Sequence, residues 1–230
     1  MEYAIQDVAQ IIGARTKALH DCTISILLTD SRRLSFPETS LFFALATKTN
    51  DGHRYVQDLY KLRVRNFVVS KMLPEFEQME EANFLLVKDV LAALQKLVAY
   101  HRKRFQIPVI GITGSNGKTV VKEFLYQLLH NEFDIVRSPR SYNSQIGVPL
   151  SVWEMNEKNT LGIFEAGISQ PDEMEKLQPI IAPTIGVLTS IGEAHQENFI
   201  SVNQKCLEKL MLFNESEAII YDGDLSLIHI

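Results

Sequence analysis

Apolar residues along this 230-residue chain recur with more than one period, and the change of period divides it. Up to about residue 84 the pattern is irregular. A short amphipathic helix around Ile5 to Ile12 is followed by strand-like runs at ISILL, SLFFAL and NFVVS, separated by polar turns. These elements predict a small α/β domain over residues 1–84. NFLLV at 83–87 reads as a further strand, and Asp89 can cap a helix on which Val90, Leu91, Leu94, Leu97 and Val98 recur at helical spacing. That helix ends in the charged HRKRF and leads to Pro108, so residues 85–105 are expected to connect the first domain to a second over 106–230.

The second region alternates strands with helices. IPVIGIT reads as a buried strand, and KTVVKEFLYQLLH as a helix with Val120, Val121, Phe124, Leu125, Leu128 and Leu129 on one face. LGIFEAG is the next strand, Pro171 suits the first turn of a short helix PDEMEKL, and TIGVLTSIG is a further strand. VNQKCLEKLMLF reads as a helix and EAIIYDGD as a last strand. Such alternation predicts an α/β fold with a mostly parallel sheet, covered by helices and carrying its ligand site at the carboxyl ends of the strands. No internal repeat or low-complexity tract interrupts it.

Composition narrows the function classes. The chain is 46% hydrophobic and 22% charged, ordinary globular usage, and its formal charge of -5 comes without a long basic block, so a nucleic-acid surface has no support. The two cysteines, Cys22 and Cys206, lie far apart without metal-ligand spacing, which fits a reducing cytoplasm better than a disulfide framework. The N-terminus mixes acids into its apolar positions and predicts neither a signal peptide nor membrane insertion.

Candidate chemistry concentrates in GITGSNGKTVVKEF, residues 111–124. Its glycines let the backbone turn tightly, so that Gly114, Ser115, Asn116 and Gly117 can bring N–H groups to phosphate oxygens at the start of a helix. Lys118 can reach the terminal phosphates of ATP, and the Thr119 hydroxyl can take a place on Mg²⁺. A glycine-rich turn that binds nothing would use the same glycines. The Gly-Lys-Thr triplet between a predicted strand and a predicted helix favours phosphate. The general phosphate-loop pattern wants a glycine five positions before Gly117, where this chain has Ile112.

The stretch resembles a more specific pattern, G-x-T-G-[ST]-N-G-K-[ST], of the Mur ligases and their folylpolyglutamate synthase relatives, matched over 111–119. DSRRLSFPETSLFFAL at 30–45 and DGHRYVQDLYKLRVRNFVVS at 51–70 resemble the family's N-terminal domain, which receives the UDP-sugar end of the substrate. SYNSQIGVPLSVW at 141–153, FEAGISQPDEMEKL at 164–177 and IGEAHQENFIS at 191–201 are similar to segments of the branch that adds D-alanyl-D-alanine. The resemblance runs from residue 1 to about 224.

It implies an ATP- and Mg²⁺-dependent amide ligase of cytoplasmic peptidoglycan precursor synthesis, joining D-alanyl-D-alanine to UDP-N-acetylmuramoyl-tripeptide through an acyl phosphate. By the same resemblance Lys118 holds ATP phosphates, and Thr119, Glu165, His195 and a carbamylated Lys209 surround the metal. Lys205 is the competing register for the modified lysine, and a solvated helix lysine is the plain reading of both. Asn143 and Ser144 are expected at the substrate, Ser144 standing where the branch has a second asparagine. Ser31 and Arg32 are expected at the uridine diphosphate, and Asp51, Gly52 and His53 are read chiefly as a turn.

A complete ligase of this type continues into a longer ATP-binding domain and a C-terminal domain, in some relatives with a fused alanine racemase. This chain ends at YDGDLSLIHI, whose last six residues do not resemble the family continuation. A truncated reading frame with little turnover of its own is the expectation. Two other readings stay open: another amide ligase of the superfamily, adding a different amino acid or glutamate to a folate, and a nucleotide- or UDP-sugar-binding module without catalysis. A generic phosphate-loop NTPase is weakened by Ile112 and by the lack of an obvious apolar strand ending in Asp.

Overall fold

The computed structural model describes residues 1–17, 19–47, 49–192 and 196–223. The chain divides into two units, Met1–Leu97 and Val98–Ile230. His195 and the terminal segment 224–230 lie outside the described residues.

The first unit begins with β1 (Tyr3–Ala4) and α1 (Ile5–Ile12), the helix read from the apolar pattern. Gly13 ends α1 in the left-handed region at φ 69°, where a residue without Cβ is unstrained. The run ISILL forms two strands rather than one. β2 (Thr23–Ile24) pairs antiparallel with β1, whereas β3 (Ile26–Leu28) pairs parallel with β4 (Ser40–Phe43), and between them the Ser25 N–H donates to Thr39 O at 3.0 Å. After α2 (Val56–Lys61), which the apolar pattern did not reveal, come β5 (Asn66–Val69) and β6 (Asn83–Leu86). Strands β3-β4-β5-β6 form one parallel sheet in sequence order.

Apolar burial holds this sheet. Phe42, Phe67 and Phe76 are buried with Leu28, Val56, Leu59 and Val69, and the Phe84 ring stacks on Phe67 and Phe76 at 5.4 and 5.1 Å. Each fully buried phenylalanine contributes up to about 3 kcal/mol of transfer free energy. The two strands that open with Asn-Phe place Asn66 opposite Asn83, and the buried Asn83 amide donates to Asn66 Oδ1 at 2.8 Å and to His20 O at 3.0 Å. These polar groups are thereby satisfied away from water.

Helix α3 (Val90–Arg102) crosses the division between the units. Its charged end is not wholly solvated. Arg102 is buried and donates to Ile181 O, Ala182 O and Phe105 O at 2.8 to 2.9 Å.

In the second unit β7 (Val109–Thr113), α4 (Lys118–Leu129), β8 (Ile135–Arg137), α5 (Gly147–Trp153), β9 (Leu161–Glu165), α6 (Met174–Ile181), β10 (Ile185–Leu188), α7 (Val202–Leu210) and β11 (Ala218–Tyr221) follow in order. The sheet has the order β11-β10-β7-β9-β8 and every pair is parallel. This is the α/β class the alternation predicts. From β7 the chain leaves to one side, to β8 and β9, and then returns to the other side as β10. The carboxyl ends of β7 and β10 therefore flank a topological switch point, where open α/β sheets bind ligands.

Two expectations are corrected here. On α4 only Val121, Leu125 and Leu129 pack against the core of Ile110, Ile112, Leu161 and Ile163, while Val120, Phe124 and Leu128 are 57%, 60% and 74% exposed. The helix also buries Lys122 completely. The sheet covers one stripe of a helix that is apolar over two. Second, α6 starts at Met174, not in the turn of Pro171, and continues through Pro179. Glu173 accounts for the late start. Its carboxylate accepts the N–H groups of Ser169 and Gln170 at 2.6 and 3.0 Å, and Asp172 is left-handed at φ 62°, which fixes 169–173 as a turn.

Candidate functional site

The apolar VIGIT of β7 is buried along its whole length and delivers the chain to the switch point. There Gly114 takes φ 144° and Gly117 φ 84°, backbone conformations that residues with a Cβ rarely adopt. A Cβ on Gly114 would also lie 2.0 Å from Thr189 Oγ1. The loop is fastened to the segment after β10. Ser115 N–H donates to Ser190 O at 2.6 Å, Gly192 N–H donates to Ser115 Oγ at 2.9 Å, and Thr189 N–H donates to Thr113 O at 2.9 Å. No side chain caps α4, so the free N–H groups of its first turn and the positive end of its dipole face the loop.

Three lysines meet at this loop. Lys118 Nζ donates to Gly114 O at 2.8 Å, and Lys209 Nζ, from the last turn of α7, donates to the same carbonyl at 3.2 Å. Lys205, one turn earlier on α7, is in hydrogen-bond contact with Gly192 O. Lys205 and Lys209 are 1% and 3% exposed. Burial lowers the Lys118 pKa, against the pull of the Glu165 carboxylate. At Lys209 burial, then the positive charges of Lys118 and Lys205, bring the pKa down to about 8. Cations gathered out of water in this way favour a negatively charged group at the site.

Opposite them is Glu165, which closes β9, pairs with Ile112 across the sheet and is fully buried. The Thr119 hydroxyl donates to its carboxylate, 2.9 Å from Oε2 and 3.3 Å from Oε1. Lys122 Nζ lies 3.3 Å from Oε1. A hydroxyl and a carboxylate are hard oxygen donors of the kind Mg²⁺ takes when phosphate oxygens and water complete its shell. Among the described residues no cluster of three or more His, Cys, Asp or Glu forms a self-sufficient cage. The donor set thus fits a magnesium ion that arrives with a phosphate.

The other expected site residues fall in different places. Asn143 O accepts the Gly167 N–H at 2.8 Å, which sets Asn143 beside the carboxyl end of β9. Ser144 is engaged in structure, its Oγ accepting the Gly147 N–H at 3.1 Å and its carbonyl the Val148 N–H at 2.9 Å, so it starts α5. Ser31 and Arg32 belong to the first unit, in a short helical turn that Asp30 caps. Arg32 is occupied there by a bidentate pair with Asp30 at 2.7 and 2.9 Å, and that hydrogen bonding holds the Asp30 carboxyl down at about 2. Asp51 caps the turn Gly52–Tyr55, and the buried His53 donates from Nδ1 to it at 2.6 Å while Nε2 accepts the Ser70 N–H at 3.0 Å.

Lys122, Ser138 and the segment Thr189, Ser190 and Gly192 were not singled out in the sequence, although the structure places them at the site. A signal existed for Lys122, which follows Lys118 by four residues and Thr119 by three and so shares their side of the helix.

Comparison with known proteins gives this geometry a lineage. A family model described as the Mur ligase middle domain matches residues 112–226. The UDP-N-acetylmuramoyl-tripeptide--D-alanyl-D-alanine ligase of Bacillus subtilis is 32% identical over 229 residues, which cover 97% of this chain and 49% of that protein. The Borreliella burgdorferi protein of the same name is 30% identical over 210 residues, 88% of this chain and 45% of its own. Among solved structures, MurF from Acinetobacter baumannii superposes with a TM-score of 0.88 at 24% identity, over all of this chain and 51% of that one. MurF from Thermotoga maritima in complex with ADP gives 0.76 at 25% identity over 86% of this chain and 46% of that one. The chain spans about half the length of the curated relatives it matches. On the motif, the parallel fold and the matched middle domain together, the chain belongs to the Mur ligase family.

Proposed function

We propose that the chain carries the nucleotide-phosphate site, and part of the substrate-binding surface, of an ATP-dependent ligase that joins D-alanyl-D-alanine to UDP-N-acetylmuramoyl-tripeptide. The observation that carries this reading is the convergence of Lys118 and Lys209 on the Gly114 carbonyl, with Lys205 on the adjoining Gly192 carbonyl, beside the Thr119–Glu165 pair. Such an arrangement suits an anion that brings a metal with it. The names of the Bacillus and Borreliella relatives supply the two substrates.

With the Ser115 and Asn116 N–H groups engaged by Ser190, the N–H groups of Gly117 and the uncapped first turn of α4 and the Lys118 ammonium would hold the β- and γ-phosphates, Lys118 exchanging the Gly114 carbonyl for phosphate oxygen. Thr119 and Glu165 would hold Mg²⁺, which supplies charge neutralisation at the transferring phosphoryl group. His195, whose expected place at the metal falls outside the described residues, completes the set by family resemblance. The terminal carboxylate of the muramoyl peptide takes the γ-phosphoryl group, and ADP leaves. The dipeptide amine then attacks the acyl carbon, inorganic phosphate departs, and one proton is lost as the amide forms. The protein's share is alignment and charge stabilisation. Asn143, beside β9, would serve the substrate side, and Ser31 and Arg32 would contact the uridine diphosphate.

Lys209 is the residue for carbamylation. A pKa of about 8 leaves a usable fraction of neutral amine near neutral pH. The ammonium first gives up one proton, and the neutral amine then attacks CO₂ and loses a second as the N–C bond forms, so a cation becomes a carbamate anion beside Lys118 and Lys205. Lys205, in contact with Gly192 O, remains the counter-charge.

The test is phosphate release from ATP, Mg²⁺ and UDP-muramoyl-tripeptide, with and without D-alanyl-D-alanine, by a protein of the relatives' full length that carries this chain. Release that requires the dipeptide and is lost in Lys118→Ala supports the ligase. Release indifferent to the dipeptide, but dependent on another amino substrate, would reassign the branch.

A further inference from the structure

Lys122 is fully buried, yet the family resemblance assigned it no role. Its Nζ lies 2.8 Å from Ser138 O, in contact with Arg140 O, and 3.3 Å from both Glu165 Oε1 and Glu123 Oε1. An ammonium has three protons to donate, and all three have acceptors here. A cation is tolerated out of water only when paired and hydrogen-bonded in this way. Pairing explains how Lys122 survives burial. It leaves open why a charge is kept there at all, when a methionine would fill similar volume without desolvation.

The answer lies in what the ammonium holds together. Glu165 is gripped at two points, Thr119 on Oε2 and Lys122 on Oε1, so the carboxylate plane is fixed rather than free to rotate about its last torsion. The Glu165 N–H also donates to Ser138 Oγ at 3.3 Å, and Ser138 is itself fully buried. Arg140 sits in the left-handed region at φ 51°, and its carbonyl is aimed at Lys122. This turn leads to Asn143, whose carbonyl accepts from Gly167 just beyond Glu165. Outward, Glu123 bridges Lys122 to Arg137, whose guanidinium lies 3.8 Å above the Tyr126 ring. Charges of alternating sign therefore run Arg137, Glu123, Lys122, Glu165, from the partly exposed pair to the sealed site.

The geometry points to Lys122 as a positioning residue of the phosphoryl-transfer site: it fixes the Glu165 carboxylate beside Thr119 and locks it to the 138–140 turn that carries the chain to Asn143. This rests on the reading of Glu165 as a ligand for the phosphate-bound metal. Lys122 touches no reacting atom and acts through Glu165.

Two other roles make opposite demands on one measurement. A purely electrostatic role would mean that removing a positive charge near the metal raises cation affinity. A purely structural role would lower the melting temperature and leave the metal effect alone. Positioning lowers the metal effect in a protein that is still folded.

The measurement is the ATP affinity of the chain by calorimetry, with Mg²⁺ and with a chelator, in the parent, Lys122→Met, Glu165→Gln and the double variant, each shown to be folded by its melting transition. Glu165→Gln is expected to reduce the gain in affinity that Mg²⁺ gives. Lys122→Met is expected to reduce that gain about tenfold, and the double variant to be no worse than Glu165→Gln alone, since one residue acts through the other. Should Lys122→Met not fold, Lys122→Gln, which keeps amide donors for the Ser138 and Arg140 carbonyls, takes its place. An unchanged or increased Mg²⁺ gain in the Lys122 variant, or additive losses in the double variant, overturns the inference while Glu165 stands. A gain untouched by Glu165→Gln overturns the reading of Glu165 and this inference with it.

Discussion

Lys209 is held in the folded chain with a pKa of about 8, against 10.5 for an ordinary lysine, by burial and by Lys118 and Lys205. The native state therefore binds that proton less readily than the unfolded chain. Below pH 8 both states are protonated and folding carries the full penalty of the desolvated cation; between pH 8 and 10.5 the unfolded chain holds more protons, and stability rises with pH. Lys209→Met removes this slope. Its stability relative to the parent should fall across that window by on the order of 2 to 3 kcal/mol, read from denaturant unfolding at several pH values. A pH-independent difference would show that Lys209 is an ordinary solvated lysine. Gly114 makes an independent demand at the same loop. Gly114→Ala sets a Cβ against Thr189 Oγ1 at a φ of 144° and should cost about 2 kcal/mol or more and weaken ATP binding, checked by melting and titration. Wild-type stability in that variant would mean the loop relaxes without the Thr189 contact.

At the scale of elements, α4 decides between two apolar stripes. Val121, Leu125 and Leu129 face the sheet, whereas Val120, Phe124 and Leu128 are exposed. Leu125→Ala is expected to destabilise the second unit by about 2 kcal/mol, and Leu128→Ala to stay within about 0.5 kcal/mol, measured by denaturant unfolding. Equal costs would contradict the packing. The helical period located α4 correctly but could not choose between stripes one residue apart, because periodicity reports spacing along a helix and not what lies opposite. Strands with long apolar runs, such as VIGIT and LGIFE, were legible for the converse reason, since a strand buried on both faces admits little polar interruption. The elements missed were short or disguised. β8 has only Ile135–Arg137, too little for a period, and α5 begins with Gly-Val-Pro, residues that read as a turn although Pro149 in a first turn is compatible with a helix. Among candidate site residues, Lys118, Thr119 and Glu165 were legible because motif and strand end fix their positions. Lys122 was not, because a lysine on an amphipathic helix ordinarily faces water, and it is the Glu165 and Glu123 carboxylates and the 138–140 carbonyls that let it be buried.

For the molecule as a whole, the two units carry different parts of one reading. The first presents a parallel sheet whose strand ends bear Ser31 and Arg32, with Arg32 already paired to Asp30, so a phosphate there must compete with a bidentate carboxylate. The second carries the phosphate loop, the lysines and Glu165 around the switch point of its own sheet. Among the described residues no helix is long and apolar enough to cross a membrane. The central claim is that this switch point binds the phosphates of ATP with a divalent metal, and an equilibrium titration of the chain with ATP tests it most directly, run with and without Mg²⁺ for the parent and for Lys118→Ala. The expected result is Mg²⁺-dependent binding that weakens at least about tenfold in Lys118→Ala, roughly 1.4 kcal/mol. Binding that ignores both the metal and the substitution would contradict the account and place the nucleotide elsewhere.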